Sequence, residues 1–321
     1  MSPAMQRRLP LLATTAVFVA LFAIAGLLYD GFFSARVFGN LLIGYAMLGI
    51  AAVGLTLVIL SGGIDLSVGA VAGFTSIFTA MLVDRQGLHP ATASLLALGT
   101  GAAFGAAMGT LIHVFRQPPF LITLAGMFLM RGLGFWITTD QVGIQHPWTD
   151  ALSAFEFTLG SSFTLLTPSL MLLVAVLGGG VIAHYTRFGR NLLALGGSEQ
   201  SALLMGLPVG ATKIAVYSCS GACAAWAGLS ATFATGTGNP SLALGLELDA
   251  IAVVVIGGTL LTGGRGHMLG TVLGILIFGT IQSALEFDGR LSSAWLKIVV
   301  GALLLGFILL QRLIVNRIVR R

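Results

Sequence analysis

The chain has 321 residues, of which 56% are hydrophobic and 8% are charged, and its formal net charge is +5. A soluble globular domain carries about 25% charged residues, so this composition excludes one and indicates a membrane protein. The apolar runs are continuous over about 20 residues, which is the length of a helix that crosses a bilayer and twice that of the alternating segments in a membrane barrel.

Ten apolar segments follow one another, and each predicts one transmembrane helix. The first begins after Arg7 and Arg8 and predicts an uncleaved helix, because the apolar part of a signal peptide usually has about 7–15 residues. The eighth is short and runs into a glycine-rich stretch, so it is either a full span or a helix that breaks part-way through the membrane. We therefore predict an all-α polytopic protein, with one transmembrane domain over residues 1–321. The segments lie at about 10–28, 40–60, 67–83, 91–112, 120–138, 165–183, 213–234, 249–261, 268–285 and 294–311.

The basic residues predict the orientation, since Lys and Arg concentrate in cytoplasmic loops. With ten spans and a cytoplasmic N-terminus, most of the 16 basic residues fall on the inner side. We therefore predict that both termini are cytoplasmic, and that the positive charge lies at the membrane surface and does not form a nucleic-acid-binding face. The inner set is Arg7, Arg8, Arg116, Arg187, Arg190, Lys213, Arg265, Arg312, Arg317, Arg320 and Arg321, and the outer set is Arg36, Arg85, Arg290 and Lys297.

A polar motif, SGGIDLSVG from Ser61 to Gly69, follows the second span. Ser67 can cap the third span, and Asp65 favours the positive end of that helix dipole. An acid within the membrane is also a candidate for proton coupling, which would make the chain an ion-coupled secondary carrier that uses Asp65. The interpretation that we favour is structural, with Asp65 holding the turn together.

The middle spans carry packing signals. Gly101, Gly105 and Gly109 recur every four residues and predict close helix packing. Arg131 lies about two-thirds along the fifth span, so it either snorkels or pairs with an acid, and we favour a structural ion pair over contact with cargo. Cys219 and Cys223 have no His or carboxylate neighbours, so they predict helix packing and not a metal site.

The longest inner loop, from about 184 to 212, predicts two short amphipathic helices that meet at a corner formed by Gly196 and Gly197. Ser198 is the predicted N-cap of the second helix. Such a pair either rests on the membrane surface or forms a docking projection for a cytoplasmic partner, and its residues favour neither alternative.

Catalytic motifs are missing from the sequence. A Walker A loop has the pattern Gly-x-x-x-x-Gly-Lys-Ser/Thr, and neither Lys213 nor Lys297 has that context. No HExxH, GxSxG or His/Cys metal pattern is present either. We therefore predict that the chain is not an enzyme and holds no cofactor or metal of its own.

From about Leu9 to its end, the chain resembles the permease subunits of bacterial ATP-binding-cassette sugar importers of the ribose/xylose/galactose group. Within that group, the stretch LITLAGMFLMRGL and the residues around Trp295 and Lys297 are most similar to a permease of the galactofuranose importer. The family resemblance rests on three motifs in order, VILSGGIDLSVG (Val58–Gly69), TRFGRNLLALGGSEQSALLMG (Thr186–Gly206) and ELDAIAVVVIGGTLLTGGRG (Glu247–Gly266).

The resemblance implies a subunit of the bacterial inner membrane that moves a monosaccharide by alternating access. Its expected partners are a cytoplasmic ATPase that binds the ATP, a second permease, like or unlike, and a periplasmic sugar-binding protein. The loop at about 186–206 would be the coupling helix pair that contacts the ATPase, through Arg187, Phe188, Gly189, Arg190, Asn191, Gly196, Gly197, Ser198, Met205 and Gly206. The structural residues would be Gly62, Gly63, Asp65, Ser67, Gly69, Arg131, Glu247, Asp249, Gly257 and Gly258. Position alone suggests Asn40, Phe120, Thr123 and Met127 for the cargo path.

Overall fold

The computed structural model describes residues 3–159, 163–289 and 294–319, and within them it is mostly helical. The helices are α1 (Pro3–Leu28), α2 (Ala35–Gly44), α3 (Ala46–Leu60), α4 (Val68–Asp84), α5 (Pro90–Val114), α6 (Pro119–Ile137), α7 (Pro147–Ser153), α8 (Thr167–Tyr185), α9 (Arg187–Gly197), α10 (Glu199–Leu204), α11 (Val209–Thr235), α12 (Leu246–Ile256), α13 (Met268–Asp288) and α14 (Ala294–Val319). The strands are β1 (Val142–Gly143), β2 (Glu156–Leu159), β3 (Phe163–Leu166) and β4 (Thr237–Gly238).

Every predicted apolar segment contains a helix, but the helices differ in length. In the described part of the chain, six are long and apolar enough to cross a membrane, namely α1, α5, α6, α8, α11 and α13. A seventh span results if α2 and α3, which are bent by 61° at Tyr45, form one broken span. The helix α4 and the apolar part of α14, Lys297–Phe307, are shorter. Ten crossings and two cytoplasmic termini stay predictions. Of the basic residues that predict the orientation, Arg290, Arg320 and Arg321 lie outside the described residues.

The described residues are mostly helical, in agreement with the predicted all-α class, and two short pairs of strands are added between the helices. In the long loop after α6, β2 and β3 form an antiparallel hairpin, with Glu156 opposite Leu166, and β1 of the same loop pairs with β4, which follows α11. Only the last two residues of β3 fall within a predicted span. Strands are possible there because water and neighbouring loops can satisfy edge groups that lipid would leave unpaired.

The eighth segment is a broken helix, the second of the two predicted alternatives. The helix α12 ends at Ile256, and Gly258 has a φ of +90°, a conformation that glycine adopts without strain. The chain then runs without a helix until α13 begins at Met268. At the break, Gly257 lies against the backbone of Gly270 and leaves no room for a side chain.

The predicted glycine face on α5 is confirmed, and it packs on α11. Gly101 lies against Gly221, Gly105 against Tyr217, and Gly109 against Ile214, in each case at backbone atoms. Backbones that approach this closely gain dispersion contacts that larger side chains would prevent. The helix α11 therefore lies at the centre of the bundle and offers a fixed frame for the motifs around it.

Candidate functional site

The inner loop folds as the predicted pair of short helices, α9 and α10. Thr186 caps α9 by accepting a hydrogen bond from the amide of Gly189 at 3.1 Å. Ser198 caps α10 by accepting one from the amide of Ser201 at 3.2 Å. Each cap satisfies an amide that the first turn of a helix leaves free. Gly206 closes the segment with a φ of +74°, so the two helices have a defined beginning, corner and end.

One face of this pair is anchored in the bundle. Leu192 is fully buried beside Val58, Leu60 and Tyr217, and Leu195 packs with Ala202 and Val209. Gly189 lies against the carbonyl oxygens at the end of α8. The helix α9 is therefore packed against the bundle, and α10 is held to it through Ala202, which leaves the other residues of α10 exposed.

The corner between α9 and α10 meets two other segments of the chain at backbone atoms. We call the set Gly62, Gly196, Gly263 and Gly264 the glycine junction. A Cβ at Gly196 would collide with the carbonyl oxygen of Leu60 and the amide of Gly264. The amide of Gly264 donates a hydrogen bond to the carbonyl of Leu60 at 3.0 Å.

Three of the four junction glycines adopt left-handed backbone conformations. The φ angles are +83° at Gly62, +82° at Gly263 and +74° at Gly264. A Cβ at Gly263 would lie 2.7 Å from atoms of Gly62. The junction therefore requires glycine for both conformation and space. It joins the three sequence motifs at one point, between the ends of α3 and α9 and the loop after α12.

The outward side of the pair carries an apolar tip and basic flanks. Leu204 is 85% exposed and Met205 is 65% exposed, although both are apolar. Arg187 and Arg190 are also exposed, on the first turn of α9. An exposed apolar patch with a polar rim on a rigid support is typical of a protein-docking surface.

The second motif, around Asp65, lies deeper in the bundle. The Asp65 side chain is 2% exposed, and its Oδ1 accepts hydrogen bonds from the Ser67 amide at 2.9 Å and the Ser67 hydroxyl at 2.6 Å. Its Oδ2 accepts one from the Ser220 hydroxyl of α11 at 2.7 Å. Ser67 is the N-cap residue of α4 as predicted, but its side chain bonds to Asp65 and does not cap the helix. Asp65 thus ties the start of α4 to α11.

A family model described as the branched-chain amino acid transport system / permease component matches residues 37–308. The chain belongs to this permease family. It is 47% identical to the inner membrane ABC transporter permease protein YjfF of Escherichia coli K12, over 96% of this chain and 93% of that one. No solved structure matches the chain.

Two further relatives are named for the sugar that they import. The permease is 37% identical to the fructose import permease protein FruG of Bifidobacterium longum, over 96% of this chain and 92% of that one. It is 36% identical to the ribose import permease protein RbsC of Escherichia coli K12, over 91% of each chain. With the apolar helices of the fold, these relatives establish a multi-pass inner-membrane protein.

Arg131 of the permease binds backbone carbonyls, which replace the ion pair that we expected. Its Nη1 donates to Pro240 and Leu242 at 3.0 and 2.8 Å, and its Nη2 donates to Ala243 at 3.4 Å. Glu247 adds an electrostatic attraction without a direct hydrogen bond among the described residues. The planar guanidinium suits several convergent oxygens, so Arg131 fixes the turn before α12 to α6.

The remaining predicted structural residues line the same helix contacts. Gly63 lies against the hydroxyl of Tyr217, and Gly69 lies against the carboxylate of Glu247. Asp249 is half-buried and is attracted by Lys297. Gly63 therefore packs the segment after α3 against α11, whereas Gly69 and Asp249 bring α12 close to α4 and α14.

Three of the four residues suggested for the cargo path, Phe120, Thr123 and Met127, follow one another along α6, and Asn40 lies apart from them on α2. Asn40 lines an open cavity of about 450 Å³ beside Arg36 and Phe287. Phe120 is exposed and Met127 packs beside Met130. Thr123 is fully buried, and its hydroxyl bonds to the carbonyls of Pro119 and Ile64, at 2.9 and 3.3 Å. In this conformation Thr123 therefore serves the Asp65 segment and is closed to cargo.

Sequence reasoning missed the polar residues of α11 and the histidine caps. Tyr217 and Ser220 both contact the Asp65 segment, and their only signal was polarity within an apolar run. His184 and His267 stack with ring centroids 4.0 Å apart, and each accepts a hydrogen bond from an amide at the start of α13. These contacts join the end of α8, next to α9, to the segment after the junction.

The ion pair between Glu199 and Lys213 is expected to contribute little to stability. The two groups are 2.7 Å apart, but the Glu199 side chain is half exposed, so solvent screens their attraction. Glu199→Gln should lower the free energy of unfolding by less than about 1 kcal/mol. Thermal unfolding in detergent would measure this, with Glu156→Gln on the exposed strand β2 as the control. A markedly larger loss than in the control would show that this pair holds α10 in place.

Proposed function

We propose that the permease is the membrane-spanning subunit of an ATP-binding-cassette importer that moves a monosaccharide into the cytoplasm. A separate ATPase subunit binds and hydrolyses the ATP, and a second permease and a periplasmic sugar-binding protein complete the importer. Galactofuranose is the proposed cargo. The names of the relatives support a sugar importer, since two of them are fructose and ribose import permeases.

The observation that carries this proposal is the glycine junction beneath the exposed tip of α9 and α10. A docking surface can drive transport only if its displacement reaches the transmembrane helices. Here the tip is one rigid segment, and its corner touches the end of α3 and the loop between α12 and α13 without intervening side chains. Closely packed backbones transmit displacement because they have few alternative arrangements.

The proposed mechanism is a shift between two arrangements of the bundle. Closure of the ATPase would push the tip of α9 and α10, and the junction would pass the displacement to α3 and α12. The helix α9 spans about 16 Å at 1.5 Å per residue, which is enough to act as a lever under the bundle. ATP binding favours one arrangement of the bundle only to the extent that the closed ATPase binds that arrangement more tightly than the other.

The proposed cargo can be tested separately from the proposed mechanism. The permease would be purified with the subunits that co-purify with it and reconstituted in vesicles with a labelled sugar. We expect galactofuranose uptake to require ATP and to resist competition by equal amounts of ribose or fructose. ATP-driven uptake of ribose would overturn only the choice of sugar. Uptake driven by a proton gradient without ATP would overturn the importer itself.

The geometry around Asp65 does not favour the alternative of a proton-coupled carrier. Both carboxylate oxygens accept hydrogen bonds from serines, and the side chain is buried. A proton carrier needs a group that exchanges protons with water on alternate sides of the membrane. Asp65 instead has the surroundings of a structural carboxylate.

Replacing the apolar tip should detach the ATPase. Leu204→Ser and Met205→Ser together should weaken retention of the ATPase about tenfold or more, because burial of a Leu or Met side chain contributes about 1.5–3 kcal/mol. The matched control is Leu244→Ser, which removes a leucine of 67% exposure from the loop before α12. Quantitative co-purification would measure retention. Equal retention in the tip variant and the control would contradict docking at this surface.

A further inference from the structure

A groove between α4 and α6 lies outside all the contacts described above. Its volume is about 330 Å³, and its walls are apolar. Phe74 and Phe78 of α4 form one wall, with stacked rings whose centroids are 5.4 Å apart. Leu133 and Trp136 of α6 form the other, and Trp136 is 84% exposed. The groove is thus a rigid, open apolar slot on the surface of the bundle.

One end of the slot is polar and cationic. Arg85 and Gln86 follow the last residue of α4 and line the mouth. The Asp84 carboxylate contacts the Arg85 guanidinium only through Nε, at 3.4 Å. A guanidinium has five N–H donors, so Arg85 retains donors for a second anion, and phosphate oxygens match its geometry.

The length of the slot matches one leaflet of a bilayer. Phe74 and Arg85 are eleven positions apart on α4, which corresponds to about 16 Å along the helix. Half of a hydrocarbon core of about 30 Å is about 15 Å. The mouth lies at the end of the bundle away from α9 and α10, since the last turn of α5, at His113, packs beside Gly210 at the start of α11.

We propose that this slot is a specific phospholipid site, with an acyl chain between α4 and α6 and the phosphodiester at Arg85. The charge of the mouth and the depth of the apolar walls both select an amphiphile with one anionic group at its polar end. A neutral sugar does not fit, because the walls offer it almost no hydrogen-bonding groups. A bound lipid would fill the space between two helices and thereby set how easily α6 separates from α4.

Photocross-linking in the native membrane tests the site. The photoreactive residue p-benzoylphenylalanine would replace Leu82, which lines the slot, and intact-mass spectrometry of the purified permease would identify the adduct. We expect an adduct with the mass of one phospholipid. Its yield should fall about fivefold in Arg85→Gln, the factor expected for one basic residue at a lipid headgroup, and Arg85→Lys should restore most of it.

Two controls separate the slot from ordinary lipid contact. The same probe at Leu177, which is 69% exposed on α8, should give a weaker lipid adduct that does not depend on Arg85. Arg116→Gln removes an exposed arginine at the other end of α5 and should leave the Leu82 adduct unchanged. Equal lipid yields at the two probe positions, or a Leu82 yield that does not change in Arg85→Gln, would overturn the proposal. A Leu82 adduct with a second protein chain would assign the slot to a protein interface instead.

Discussion

Gly196→Ala should lower ATP-driven uptake tenfold or more, whereas Gly197→Ala, one residue away, should leave uptake close to that of the unaltered permease. A methyl group at Gly196 would be forced between the carbonyl of Leu60 and the amide of Gly264, whereas one at Gly197 would meet no atom within 4 Å. Backbone atoms cannot rotate out of the way as a side chain can. The corner of α9 and α10 must therefore move away from the junction, at a cost of about 1–3 kcal/mol.

The paired design isolates the contact from the helix itself. Both glycines belong to the last turn of α9, so each change to alanine brings the same gain in helix stability of about 0.5–1 kcal/mol. Uptake, ATPase activity and retention of the ATPase would be measured for each variant in vesicles. We expect Gly196→Ala to retain the ATPase and its hydrolysis but to lose uptake by tenfold or more, which corresponds to about 1.4 kcal/mol. Equal uptake in the two variants would contradict transmission through the junction.

The pair of short helices α9 and α10 could be predicted from the sequence because its signals are local. Ser198 caps the helix that follows it, and Gly196 and Gly197 mark the corner, all within one short stretch of chain. The junction could not be predicted in the same way. It brings together Gly62, Gly196 and Gly263, which are far apart in sequence. A local sequence pattern does not indicate which distant backbone a given glycine will contact.

The partners of buried charges were also beyond sequence reasoning. The sequence predicts an acidic partner for Arg131, since carboxylates are common partners of a guanidinium within a membrane. The carbonyl oxygens that bind it belong to residues 240, 242 and 243, and every residue carries such an oxygen, so the sequence holds no sign of them. The role of the Ser220 hydroxyl could not be predicted either, because a single polar side chain in an apolar helix does not indicate its partner.

Hydropathy located the helices but not their lengths. The apolar run from 40 to 60 is continuous, yet its helix bends by 61° at Tyr45. The eighth segment stops at Ile256, where Gly258 turns the chain out of the helix with a φ of +90°. A hydropathy window registers neither the bend nor the left-handed turn.

Asp65→Ala should lower the free energy of unfolding by several kcal/mol. The change leaves the amide and hydroxyl of Ser67 and the hydroxyl of Ser220 without their acceptor in a buried site. Each buried donor left unpaired costs about 1–3 kcal/mol. Ser220 lies eleven residues inside α11, about 16 Å from the start of that helix, so water is poorly placed to replace the carboxylate. Thermal unfolding in detergent should show a large drop relative to Asp140→Asn, which alters an exposed acid in the loop after α6.

Asp65→Asn separates the structural role from proton coupling. The asparagine carbonyl can accept both hydrogen bonds from Ser67, and its amide can donate to the Ser220 hydroxyl, which rotates to accept. The cost should therefore be about 1 kcal/mol, well below that of the alanine variant. An asparagine cannot carry a proton, so a carrier that worked through this residue would lose its uptake completely. We expect the asparagine variant to retain ATP-driven uptake with an unchanged dependence on pH. Loss of uptake in a variant that keeps its thermal stability would show that the carboxylate itself takes part in transport.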